Sequence, residues 1–221
     1  MFHSLKKPDV LVITLAAAGI LMITMGVRQS LGLFVNPLML STGLGITTIS
    51  LALAVGQFAW GAIQPIAGGL ADRFGPQAVL IGGLVVMAIG SAITPFMTSG
   101  FGLVVSLGLL TAIGSGAGSF SVLIGAAAQR LPAVAHGSAA GVINAGGSFG
   151  QFVFAPILQK LIQTMGWMGT MWTMALITLA ALPLVGPLTK RSEVPAKHAG
   201  ADIGVLKAVG DSLKNPSYLL L

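Results

Sequence analysis

The sequence predicts an all-α protein, a polytopic membrane helix bundle of six transmembrane helices, and three observations carry that prediction. Of 221 residues, 55% are apolar and only 7% are charged, whereas an ordinary soluble domain carries about 25% charged residues. So little charge cannot cover a water-facing surface. Apolar runs of about the 20 residues that a helix needs to cross hydrocarbon recur six times, separated by turn residues or charge. Basic residues gather on alternate connections, which is the asymmetry that marks cytoplasmic loops.

The N-terminal segment carries Lys6 and Lys7 and leads into Val10 to Val27, 18 residues without a charge. A signal-peptide core spans roughly 7–15 residues, so this run is a retained helix. The first span extends from about Val10 to Leu40 and closes at Ser41-Thr42-Gly43-Leu44-Gly45. The second, Thr47 to Ala71, stops at Asp72-Arg73-Phe74-Gly75-Pro76, where glycine ends one helix and proline opens the next. The third runs from Gln77 to Met97 and is closed by Thr98-Ser99-Gly100. The fourth covers Phe101 to Gln129, before Arg130-Leu131-Pro132. The fifth and sixth are Gly137 to Thr164 and Trp167 to Leu188. Residues 1–188 thus form an N-terminal six-helix transmembrane bundle. Residues 189–213 hold eight scattered charges from Lys190 onward, counting Lys214 just beyond. They make a cytoplasmic connector whose part from Ala201 to Leu213 suits an amphipathic helix at the membrane surface. Residues 214–221 turn apolar again from Pro216 and read as the start of a seventh helix, cut short.

With the N-terminus in the cytoplasm, nine of the eleven basic residues fall in inside segments. Lys160 lies near an outer end, and Arg28 lies within a span. All five acids are also inside, so no carboxylate remains in the membrane. The formal charge of +6 is therefore a topology signal. It is not a nucleic-acid footprint, because no basic face or interleaving of aromatic and basic residues accompanies it. The expected location is a bacterial cytoplasmic (inner) membrane.

Enzymatic chemistry has no foothold. There are no cysteines, hence no thiolate metal site or cysteine nucleophile. Gly146-Gly147-Ser148-Phe149-Gly150 matches a nucleophile elbow in letters only, since it lies in an apolar helix without acid and histidine partners. No phosphate-binding glycine loop is present. No cofactor or metal is expected, and no nucleic-acid partner.

The stretch Gly68-Gly69-Leu70-Ala71-Asp72-Arg73-Phe74-Gly75 resembles the signature loop of the major facilitator superfamily, with Gly68, Asp72, Arg73 and Gly75 in the matching positions. Physically, Gly68 lets helices approach, Asp72 accepts hydrogen bonds from a helix N-terminus, and Arg73 either balances the acid or bonds helix C-terminal carbonyls. Such a clasp holds one conformational state and breaks in the other. Gln77 stands where the family usually has a basic residue, which weakens the clasp. Gln64-Pro65, the glycine-rich fourth helix, and Gly141 through Pro156 to Gly166-Trp167 look like the monocarboxylate-transporter-like and oxalate-antiporter-like branch. Met168 replaces the arginine usual in that branch. Ala112, Ser115 and Gly116 occupy the place of the proton-coupled drug antiporters' Arg-x-x-Gln-Gly motif, which disfavours that activity. The resemblance implies half of a two-half fold.

Arg28 is the most costly residue here, because a charge at bilayer centre costs about 2.5–3.5 kcal/mol on insertion scales. Without an intramembrane acid, a bound anion is its natural partner, and a guanidinium suits bidentate carboxylate recognition. Its backbone lies about 27 Å along the first helix from Val10, so snorkelling to the outer interface or bonding to helix-end carbonyls is the competing role. Gln57 and Gln64, and Asn144 and Gln151, are each seven residues apart and so share a helix face. Each pair is a candidate for substrate contact or for interhelical bonding, and Trp60 for a cavity wall or a lipid-facing residue. The glycine pairs Gly114/Gly118, Gly137/Gly141 and Gly146/Gly150 have the spacing of close helix contacts.

The function expected is secondary active transport of a small organic anion such as a carboxylate, by alternating access in a lipid bilayer. The missing C-terminal six-helix half, or a second copy of the chain, is the expected partner. The alternative is a non-transporting half-sized membrane fragment that assembles as a homodimer or needs a C-terminal half.

Overall fold

A segment inside a bilayer must satisfy its own backbone hydrogen bonds, and the described residues do so as helix. The computed structural model describes residues 8–189. Lys6 and Lys7, the connector after Thr189 and the apolar run over 214–221 lie outside them. The first span joins α1 (Pro8–Gln29), a 3-10 turn (Ser30–Phe34) and α2 (Val35–Thr42). The second is the single helix α3 (Ile46–Phe74), and the third is α4 (Pro76–Ile93) with a 3-10 turn at Thr94–Phe96. The fourth is composite, with α5 (Gly100–Leu103), a π-helix (Val104–Leu110), α6 (Thr111–Ala117) and α7 (Phe120–Ala128). A long helix, α8 (His136–Ala180), then leads through a 3-10 turn (Leu182–Val185) to α9 (Gly186–Thr189).

The last apolar stretch, Ala133–Leu188, is 56 residues long. At 1.5 Å per residue it would reach about 84 Å if straight, far beyond a hydrocarbon core of about 30 Å. Gly166 divides it, with φ 77° and ψ 169° inside α8. That backbone is open to glycine and strained for other residues. The break falls between the expected fifth and sixth spans, so the bundle has six. Gly75, at φ 86°, makes the corresponding sharp turn between α3 and α4, with Pro76 opening α4.

Packing depends on where side chains are absent. A Cβ on Gly146 would stand 2.7 Å from the Ala18 carbonyl oxygen, and one on Gly150 only 2.1 Å from that of Met22. On the facing helix, Gly26 lies against the Phe154 ring, where a Cβ would stand 2.6 Å away. Gly114 is pressed in the same way on α4, 2.5 Å from the Gly83 carbonyl oxygen, whereas Gly118 faces Thr24 of α1. The pair Gly137/Gly141 does not pack as its spacing suggested, since a Cβ on either would meet nothing within 4 Å. Gly141 is five residues from Gly146, which turns it about 140° away from the face on α1. Gly68 likewise touches no helix, because it borders a cavity.

Two apolar clusters fill the interior. One gathers Ile13, Ile20, Leu80, Leu84, Leu123 and Ile143, and the other Phe34, Leu38, Ile49, Met87, Leu103 and Met174. The sixth span is also pinned to the third by a polar contact. The Trp172 indole N–H donates to the Ala92 carbonyl oxygen at 3.1 Å, and its ring lies 6.2 Å from that of Phe96. Ala92 is in the last turn of α4, where carbonyls lack intrahelical donors. Trp172→Phe should therefore lower stability by about 1 kcal/mol. The check is a thermal midpoint in detergent, expected to fall by roughly 2–4 °C for a chain of this size.

Candidate functional site

Arg28 is the next-to-last residue of α1, just before the chain tightens into the 3-10 turn. Side chains on a helix lean toward its N-terminus, so the Arg28 head is carried back from its Cα toward the membrane interior. It ends on α3, where its Nη2 donates to the Gln57 Oε1 and its guanidinium carbon lies 4.1 Å from the centre of the Trp60 ring. Gln57 and Trp60 are three residues apart on one face and sit at the middle of the 29-residue α3. The Arg28 head therefore rests beside the central turns of α3. Its hydrogen-bond partner among the described residues is the Gln57 side chain and not a helix-end carbonyl.

This constellation combines a cation, a neutral amide and an aromatic face. One guanidinium face is covered by the indole, an attractive cation–π contact. One N–H is taken by Gln57, and the fork retains further donors. Asp9 and Asp72 are the only acids among the described residues, and both lie near span ends. No carboxylate balances Arg28 among them. Beside the head is a cavity of about 160 Å³, lined in part by Arg28, Gly56, Gln57, Leu107, Thr111 and Ala112. The fourth span reaches it through a close crossing, because a Cβ on Gly56 would stand 3.1 Å from the Gly108 carbonyl oxygen and one on Gly108 2.8 Å from that of Ala52. Thr111 is a polar wall residue that span counting could not single out, since only the crossing brings it to Arg28. The π-helical winding just before it was the available local signal, and it is not legible in residue types.

Gln64, two turns from Gln57, does not join this group. It borders a second cavity of about 360 Å³ together with Gly68, Asp72, Ser121, Gly125 and Gln129. Asn144 and Gln151 are exposed on α8 and do not line the Arg28 cavity. In the signature loop, Asp72 and Arg73 are both exposed. Arg73 lies 5.2 Å from the Phe74 ring centre. Among the described residues Asp72 makes no hydrogen bond or ion pair, so the expected clasp has no partner there. Arg130 instead provides a cross-link on this side, donating from Nη1 to the Pro187 carbonyl oxygen. No group of three or more His, Asp or Glu among the described residues could hold a metal ion.

Six apolar spans thus pack as an integral membrane bundle in which one cation, Arg28, rests among neutral residues beside the middle of α3. The chain belongs to the major facilitator superfamily, whose family description matches residues 15–220. It is 28% identical over 169 residues to a probable sulfoacetate transporter of Cupriavidus necator, covering 76% of this chain and 38% of that protein. It is 30% identical over 176 residues to monocarboxylate transporter 13 of Bos taurus, covering 78% and 40%. With monocarboxylate transporter 11 of Homo sapiens it shares 31% over 150 residues, covering 66% and 31%. The chain spans about two fifths of the length of the first two of these relatives. Its family is one of transporters, not enzymes.

Proposed function

We propose that this chain is the N-terminal half of a secondary transporter that moves a small organic anion by alternating access, with Arg28 as the anchor for the anionic group. The observation that carries the proposal is the Arg28 guanidinium at mid-span, stacked on Trp60 and bonded only to a neutral amide. A desolvated cation held that way gains most from a ligand that brings a negative charge. The relatives' names, sulfoacetate and monocarboxylate transporters, support the same substrate class.

In this proposal Gln57 and Trp60 orient the arginine. Gln64, Asn144 and Gln151 belong to the wider path, and Gly68, Asp72, Arg73 and Gly75 form the conformational loop. Residues 1–188 make the bundle, 189–213 a cytoplasmic connector, and 214–221 the beginning of a seventh helix, in a bacterial inner membrane with the N-terminus on the cytoplasmic side. The second half of the cavity comes from a C-terminal six-helix half or a second copy of the chain. The test is a thermal-shift screen of the purified protein with small carboxylates and sulfonates beside size-matched alcohols and amines. A ligand at 100 times its Kd stabilises the folded state by about 2.7 kcal/mol, which corresponds to a rise of roughly 5–10 °C. Anions should give this rise and the neutral and cationic series should not. Equal responses across the series would reject the anion assignment.

A further inference from the structure

The fourth span contains a seven-residue π-helix, Val104–Leu110, between α5 and α6. π-Helical turns are rare and usually occur singly. A buried hydroxyl on a membrane helix ordinarily returns its hydrogen bond to the carbonyl four residues earlier. Thr14, Ser91, Thr94 and Thr178 do so at 2.7, 3.1, 2.7 and 2.8 Å. Ser106, inside the π segment, is the exception among the buried described hydroxyls: its Oγ has no partner. In α-helical winding the Gly102 carbonyl lies four residues before it and is the natural acceptor.

The π backbone lies directly against α4 at Gly90, where a Cβ would stand 2.9 Å from the Ser106 carbonyl oxygen, and against α3 at Gly108, where one would stand 2.8 Å from the Ala52 carbonyl oxygen. Beyond the segment α6 is fixed, because Gly114 and Gly116 are pressed on α4 and α3. The four-residue α5 on the outer side is the shorter arm. We propose that Val104–Leu110 is a register switch that converts between this π-helix and continuous α-helix. Conversion of one π turn shifts register by one residue, turning α5 by about 100° and moving it about 1.5 Å relative to α6. It gives Ser106 the bond it lacks and resets Leu107 against Thr111 at the wall of the Arg28 cavity. The two windings thus differ by that hydrogen bond, by the face that α5 turns to the core, where Leu103 is now buried, and by the shape of that wall.

The chain's lack of cysteine allows a spin-label pair at two exposed positions outside the cavity, Phe101→Cys on α5 and Phe152→Cys on α8. Distances are measured by double electron–electron resonance on the full chain in lipid nanodiscs, with no ligand present. The parent is expected to show two populations. Ser106→Ala removes the bond that only the α winding makes, so the second population should fall about fivefold. Ser106→Thr keeps a hydroxyl and should retain both. A single distribution common to all three proteins, or two populations indifferent to Ser106→Ala, would overturn the proposal. Because no anion enters the measurement, its outcome is independent of the substrate assignment.

Discussion

Replacing Arg28 with alanine is expected to weaken binding of a small organic anion about 100-fold while leaving the bundle as stable as before or more so. The two effects have opposite causes. A charge-assisted, two-pronged hydrogen bond in a desolvated site is worth about 3 kcal/mol, and alanine removes all of it. The same change removes a charge whose placement within a membrane costs about 2.5–3.5 kcal/mol on insertion scales. It also frees Gln57 and the Trp60 face from a contact they make only with that arginine. Arg28→Lys keeps the charge but loses the planar fork and its stacking, so an intermediate loss of about tenfold is expected. Calorimetric titration of the purified protein measures affinity, and thermal unfolding measures stability. Undiminished affinity in both variants would show that Arg28 does not hold the anion.

The second large effect concerns the contact between α1 and α8. Gly150→Ala should destabilise the protein by about 3 kcal/mol, because the added methyl would meet helix backbone that cannot yield. The ideal Cβ falls 2.1 Å from the Met22 carbonyl oxygen and 2.7 Å from its carbon. Relief would require the two helices to separate, undoing Gly146 on Ala18 and Gly26 on Phe154 as well. Gly141→Ala provides the comparison on the same helix. It meets nothing within 4 Å, and alanine is about 1 kcal/mol better than glycine in a helix interior. It should be neutral or stabilising. Thermal midpoints that fall equally in the two variants would mean that the α1–α8 approach is not what Gly150 serves.

These two cases show how far residue types could be read. Span positions were legible because apolar length, turn residues and charge are local properties, and the helix ends lie within a few residues of their expected places. The boundary between the fifth and sixth spans was legible for the same reason, and the structure puts the break at Gly166. Which glycines form contacts was not. Gly137/Gly141 and Gly146/Gly150 have identical spacing, and only the face presented to α1 separates them. Arg28 stood out in the sequence as an unbalanced charge, but the residues that hold its head could not be read by following the backbone alone. A long side chain on a helix leans toward the N-terminus, and α3 decides where it comes to rest.

The sequence by itself therefore determined the class, the number of spans and the presence of one uncompensated cation, since these follow from composition, period and charge along the chain. Tertiary structure decided that Gln57 and Trp60 hold that cation while Gln64 borders another cavity, and that Thr111 joins the wall. Those outcomes depend on where helices cross. Crossing points are set by backbone contacts at glycines far apart in the chain, such as Gly56 on Gly108 and Gly150 on Met22, which no local pattern specifies.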